Sequence, residues 1–180
     1  MASSFKPFRY DCIACGACCK GDGLAFLYPA DLGRLAEYLQ ISKDECAAKY
    51  LQAVEVEFDD GDKIKYLATK KRRDGSCVFL NDKKLCEIHA AKPMQCALSP
   101  FIPEFLENPD ALAQFSALCP GFGKGERRSA KFLRESNLAA AIAQEEYEKL
   151  YAACKGSLKK IYGLSKPVRT TVKTGGLSLE

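Results

Sequence analysis

Asp11-Cys12-Ile13-Ala14-Cys15-Gly16-Ala17-Cys18-Cys19-Lys20 crowds four thiols into eight residues, in the spacing C-x2-C-x2-C with a fourth cysteine directly adjacent. A stretch this short and this rich in thiols is not core. Two-residue gaps let a tight turn aim successive sulfurs at one ion, because the backbone between them reverses and its N–H groups are free to donate to thiolates. Gly16 is placed to permit that turn. Cys18 and Cys19, being neighbours, do not easily point the same way, so they serve two metal centres or opposite sides of one compact cluster.

Four downstream cysteines, Cys77, Cys86, Cys96 and Cys119, complete a set of eight with Cys12, Cys15, Cys18 and Cys19. Eight thiolates satisfy two tetrahedral all-thiolate sites, or one or two iron–sulfur clusters. Cys119 precedes Pro120, so the set also reads as C-x2-C-x2-C with a remote C-P, similar to the ligand pattern of bacterial ferredoxins but without their close third spacing. That favours an iron–sulfur cluster, with zinc as the alternative. Cys46 and Cys154 fall on apolar helix faces and read as small buried hydrophobes. His89 is the chain's single histidine. It stands three residues after Cys86, where it either completes a mixed site or, with the thiols already filling two tetrahedra, lies at the surface or behind the ligands. One histidine excludes H-E-x-x-H zinc hydrolases.

The chain has 180 residues, 47% of them hydrophobic and 28% charged, enough for one ordinary domain with its own core. Met1 to Tyr10 carries no apolar segment of the kind a secretory signal needs, and Leu138 to Ala143 is the longest uncharged apolar run, too short to span a membrane. The expectation is a cytoplasmic protein, in whose reducing compartment clustered thiols bind metal or do redox work in preference to forming disulfides. Lys155, Lys159, Lys160, Lys166, Arg169 and Lys173 place the net charge of +4 in the last quarter of the chain. This basic tail offers a surface to a protein partner, while the lack of an aromatic platform around Tyr162 argues against nucleic acid.

Outward from the cysteines, Gly21-Asp22-Gly23 reads as a turn, and Leu32, Leu35, Ala36 and Leu39 mark the buried stripe of a helix that follows Pro29. Ser42 with Glu45 forms a capping box opening a second helix through about Ala53. Ile64, Tyr66 and Ala68 then alternate with Lys63, Lys65 and Leu67, and Cys77-Val78-Phe79-Leu80 follows an Asp74-Gly75 turn, so two antiparallel strands are expected. Pro93, Pro100, Pro103 and Pro109 exclude a long regular helix there. Gly121-Phe122-Gly123-Lys124-Gly125 fails the phosphate-loop template and reads as flexible backbone that lets Cys119 approach a metal, with glycines also compatible with an anion-binding nest. Tyr147, Leu150, Tyr151, Cys154, Leu158 and Ile161 keep helical spacing across Gly156. The expected architecture is α+β: a small, irregular, metal-stapled domain over residues 1–126 with a short hairpin and two N-terminal helices, a C-terminal helical region over 127–163 packed on it, and a flexible basic tail over 164–180.

The order of CxxCxxCC at Cys12 to Cys19, Gly75-Ser76-Cys77-Val78-Phe79-Leu80, Cys86-Glu87-Ile88-His89, Lys92-Pro93-Met94-Gln95-Cys96 and Cys119-Pro120-Gly121-Phe122-Gly123 resembles the YkgJ-like cysteine-cluster family, bacterial proteins described as carrying a zinc- or iron-chelating domain. The resemblance covers about Cys12 to Gly125 and implies that the eight cysteines are its ligands, with Gly75, Pro93 and Pro100 matching its accompanying glycine and prolines. That family usually has an aromatic where His89 stands and an arginine where Lys92 stands. A flagellin lysine methylase carries a related cysteine-rich domain, so the resemblance extends to a protein methyltransferase-like enzyme, although no S-adenosylmethionine pocket is legible here. Three functions follow as expectations: an iron–sulfur protein with redox or enzymatic chemistry, a zinc-stabilised interaction module, and a methyltransferase-like enzyme. In each, removing the metal should unfold the stretch from Cys77 to Cys119, which has few apolar residues of its own.

Overall fold

The structure is a computed structural model describing residues 5–20, 24–58 and 61–168, with the backbone of 171–174. The Gly21-Asp22-Gly23 turn and Arg169 lie outside the described residues. Pro29 opens helix α1 (Pro29–Tyr38), which buries Leu32, Leu35 and Ala36 as the periodicity predicts. Ser42 accepts the Glu45 backbone N–H at 3.1 Å and starts α2 (Lys43–Tyr50).

α2 stops at Tyr50, short of the expected Ala53, because Leu51, Ala53, Val54 and Val56 are buried in a strand, β3 (Leu51–Glu57). Its partner is β4 (Lys63–Thr69), antiparallel, with Ala53 opposite Leu67 and Val56 opposite Ile64. The expected second strand of that hairpin, Cys77 to Leu80, is instead a turn held by single bridges from Cys77 to Lys71 and from Leu80 to Cys86. The period-two signal in residues 51–57 was masked by the capping box just before it. Two short strands complete the sheet in the order β2-β4-β3-β6: β2 (Phe26–Leu27), antiparallel to β4, and β6 (Thr171–Thr174), parallel to β3. β6 lies within the stretch expected to be a flexible tail; Val172 pairs opposite Val54, where β3 would otherwise present an open edge.

The prolines partition the middle of the chain into α3 (Met94–Leu98), α4 (Pro103–Leu106) and α5 (Pro109–Leu118), with Pro103 and Pro109 in the first turns of their helices. Residues after Cys119 are not free backbone: β5 (Phe122–Arg127) pairs antiparallel with β1 (Arg9–Tyr10). Gly121 is required there, since a Cβ would meet the Asp11 carbonyl oxygen and lie 3.2 Å from the Tyr10 ring. The C-terminal stripe is divided into α6 (Ala130–Ala153) and α7 (Leu158–Tyr162) by positive φ at Lys155 (51°) and Gly156 (68°).

Two cores result. The larger lies between the sheet and α1, α2, α6 and α7, around Leu27, Leu35, Cys46, Leu67, Tyr147 and Tyr162. The smaller joins Tyr10, Phe101, Leu106, Cys119 and Leu133. α6 serves both, through Tyr147 and Leu133. The α+β class is as expected, Cys46 is fully buried, and Cys154 is half-buried against the larger core. Among the described residues no helix is long and apolar enough to cross a membrane.

Candidate metal centre

The loop from Cys12 to Cys19 runs between the two cores, with Ala14 at φ 54° and Gly16 at φ 71° before a 3₁₀ turn over Ala17–Cys19 that buries no residue. A side chain at Gly16 would strike the Leu80 methyl and lie 2.6 Å from the Lys84 carbonyl oxygen, so glycine lets this loop seat against the one that carries Cys77 and Cys86. The Cys77 backbone N–H donates to the Cys19 carbonyl at 2.7 Å and fixes the two loops together.

Cys77, Cys86 and Cys119 share one local geometry. In each case the sulfur accepts the backbone N–H two residues on, from Phe79, Ile88 and Gly121 respectively. In each, the carbonyl accepts the N–H three residues on: Leu80 at 3.0 Å, His89 at 3.3 Å and Phe122 at 3.2 Å. Such a turn places positive amide dipoles at a sulfur and so stabilises its thiolate.

The thiols occupy two neighbourhoods. In the first, the Cys19 thiol is hydrogen-bonded to the sulfurs of both Cys18 and Cys77. One proton cannot serve two bonds, so the three titrate as a unit, with Cys18 and Cys77 held low by the Cys19 thiol and Cys19 held high by both neighbours. Cys86 and Cys96 lie within electrostatic reach of Cys18 and Cys77; burial raises both, and pushes Cys96 up to about 12. Lys92 opposes that rise at Cys86 and Cys96 and also lowers Cys18. In the second neighbourhood, Cys119 accepts the Tyr10 hydroxyl proton, and Cys12 and Cys15 lie close enough for their charge to be felt at Tyr10 and Cys119 respectively. Cys18 is felt in both.

All ten cysteines are free thiols. Among the described residues no three Cys, His, Asp or Glu side chains already stand in the arrangement that holds a metal ion. Ligation therefore requires side-chain rotation within each neighbourhood. The donor set itself fits: soft thiolates at this density suit zinc or iron–sulfur, and three of them carry amide donors. His89 is half-buried and its Nε2 finds no hydrogen-bond partner among the described residues.

The family model for CxxCxxCC, described as "Putative zinc- or iron-chelating domain", matches residues 11–120. The chain belongs to the CxxCxxCC family. Membership supports metal binding, and it agrees with the resemblance carried by the cysteine order. No curated protein and no solved structure matches the chain.

Four supporting residues of this CxxCxxCC protein were not visible in the pattern. Tyr10 and the buried Thr69 each hydrogen-bond a cysteine sulfur, Cys119 and Cys77 respectively. Gln95 Oε1 accepts the Phe26 backbone N–H at 2.6 Å and ties α3 to β2. Asp31 accepts the Met94 N–H at 3.0 Å and the Arg34 guanidinium at 2.6 Å. Only Tyr10, two residues before Cys12, and Gln95, directly before Cys96, stand next to a cysteine motif in the sequence.

Proposed function

We propose that Cys12, Cys15, Cys18, Cys19, Cys77, Cys86, Cys96 and Cys119 hold an iron–sulfur cluster in a protein of redox or enzymatic chemistry. The repeated turn at Cys77, Cys86 and Cys119 carries this reading, because in three separate segments it aims a backbone N–H at a sulfur, opposing the burial that raises Cys86 and Cys119. The electrostatic influence of Cys18, Cys77, Cys86 and Cys96 on one another, with Cys19 bonded to Cys18 and Cys77, supports one shared centre in this neighbourhood. A bound cluster supplies one-electron transfer or a Lewis-acidic iron. Around it, Lys92 offsets thiolate charge, while Tyr10 and Thr69 donate hydroxyl protons to Cys119 and Cys77. Cys18 is exposed, which leaves one side of the centre open to a redox partner or a small reactant.

One observation favours zinc as a structural staple instead. The Ala17–Cys19 turn buries nothing, so its position depends on backbone bonds and on whatever its thiols bind. In that reading Lys155, Lys159, Lys160 and Lys166, all exposed, form the surface offered to a protein partner.

Anaerobic purification followed by iron, zinc and acid-labile sulfide analysis, with a visible spectrum, separates the two. Brown protein with equal iron and sulfide supports the cluster. Colourless protein with tightly held zinc overturns it in favour of the staple.

A further inference from the structure

A cavity of about 380 Å³ opens between the β2–β4 edge of the sheet, α3, α4 and α6. Its surface includes the rings of Phe26, Tyr28 and Tyr66, the side chain of Leu98, and the carboxylates of Glu104 and Glu148. No lysine or arginine lines it. Met94, Gln95 and Leu98 of α3 face it, whereas Cys96 between them belongs with Cys18, Cys77 and Cys86.

The aromatic wall is fixed from behind. Phe26 and Tyr66 have ring centroids 5.0 Å apart, and Tyr66 stacks on the buried Tyr147 at 4.6 Å. Gln144 holds the polar edge, accepting the Tyr28 hydroxyl proton at 3.2 Å and donating through Nε2 to the Tyr66 oxygen at 2.6 Å and to Glu148 at 2.7 Å. Burial is the first cause that raises the Tyr28 and Tyr66 hydroxyls; Tyr66 and then Glu104 add to it at Tyr28, while at Tyr66 the Gln144 hydrogen bond opposes it and Glu148 adds to it. Glu145, at the rim, is already paired with Lys149 at 2.6 Å. Glu104 makes no ion pair among the described residues.

Rigid aromatic faces attract a cation through their ring quadrupoles and stack on an apolar body, and uncompensated carboxylates select positive charge over neutral or negative. We propose that this cavity binds a small organic ammonium ion with an apolar body, its charged end at Glu104 and Glu148 and its body against Phe26, Tyr28 and Leu98, with the buried Tyr66 behind them between Phe26 and Tyr147. The site stands apart from the identity of the metal, although α3 is shared by both.

The test uses three probes of one shape with the full-length protein as isolated: phenethylamine, 2-phenylethanol and 3-phenylpropionate. Calorimetry and amide chemical-shift mapping are expected to give binding of the amine about tenfold tighter than the alcohol, with none of the carboxylate. Shifts should centre on Phe26, Tyr66 and Gln144, and added salt should weaken the amine alone. The double variant Glu104→Gln, Glu148→Gln alters only exposed side chains and should bring the amine down to the affinity of the alcohol. Ala141→Trp, at the exposed rim, should block both. Equal affinity for the three probes, no saturable binding at millimolar amine, or shifts located elsewhere would overturn the proposal. Metal content, measured on the same samples, reports on the cysteine centre separately.

Discussion

The carboxylate of Asp31, buried in the first turn of α1, accepts the backbone N–H of Met94 at 3.0 Å. Met94 opens α3 two residues before Cys96, so one side chain aligns a helix of the larger core with a cysteine of the proposed centre. The same carboxylate accepts the Tyr28 N–H at 2.9 Å, and Arg34, bonded to it, also donates to the Lys92 carbonyl at 3.1 Å. Asp31→Ala strands two backbone donors. The expected cost is about 1–3 kcal/mol for each that stays buried and unpaired. Urea unfolding should show that loss, and metal per chain should fall with it because Cys96 loses its register. Full metal content in a destabilised variant would show that α3 is positioned by something else.

Gly16 and Gly75 share positive φ, 71° and 78°, but only Gly16 faces close neighbours. Gly16→Ala must both strain the backbone and displace Leu80 and the Lys84 carbonyl, separating the Cys12–Cys19 loop from Cys77. Gly75→Ala carries the backbone strain alone, about 1–2 kcal/mol. The first variant should lose metal and be the more destabilised, and the second should keep its metal at the cost of the strain alone. Elemental analysis of both proteins checks this, and equal metal content in the two would refute the seating of one loop on the other.

Metal removal should act on the cysteine loops and spare the sheet. Leu51, Val54 and Leu67 are fully buried and need no ligand to stay so, whereas the Ala17–Cys19 turn buries nothing. A chelator-treated sample should lose amide protection first at residues 12–20 and 77–89. Protection at β3, β4 and α6 should persist. Uniform loss across the chain would mean that the metal is bound up with folding of the whole domain.

The cysteine constellation was legible because ligand chemistry is written in residue type and spacing, and the helices were legible because Leu32, Leu35 and Ala36 repeat with their period. The sheet was less so. Leu51 to Glu57 follows a strong cap at Ser42, and local signals do not say where a helix yields to a strand; pairing with β4 and burial in the larger core decide it. The residues that support the centre were hidden for a similar reason. Thr69 reaches Cys77, and Asp31 reaches Met94, only after the chain has folded. Gly121 reversed its meaning: it looked like freedom for Cys119, and it permits contact with Asp11.

Tyr10→Phe isolates one hydroxyl. Tyr10 packs edge-on against Phe101 and Phe122, with centroids 5.5 and 5.1 Å away, so the ring keeps its place when the oxygen is removed. What is lost is the donor to Cys119. The net change in stability should be small, about 0.5–1.5 kcal/mol. Electron density at the sulfur should rise, shifting the thiolate-to-metal absorption band and, for a redox-active centre, lowering its potential. A variant with an unchanged spectrum would place Cys119 outside the metal's ligand set.

Alkaline pH gives a last prediction, centred on Cys46. Burial pushes this fully enclosed thiol from its ordinary value of 9.0 up to about 11. An unfolded chain ionises it near 9, whereas the folded chain holds the proton, so over that window the folded state binds more protons and stability falls as pH rises. Two pH units of difference correspond to about 2–3 kcal/mol. Metal-bound thiolates have no proton to lose, whereas the ligand thiols of the unfolded chain are only half ionised near 9, so the centre adds a slope of opposite sign that fades above about pH 10. Tyr66, raised by burial to about 12 from 10.0, adds to the loss at higher pH, in the same direction as Tyr147 and Tyr162. The contribution of Cys46 is therefore read as the difference in urea midpoint between the metal-loaded wild type and Cys46→Ala from pH 9 to 11, in which the opposing slope of the centre cancels. Cys46→Ala should begin lower, from the lost packing, and the gap to wild type should narrow from pH 9 to 11, because the centre and the tyrosines contribute alike to both proteins. Parallel slopes in the two proteins would show that Cys46 is not the group responsible.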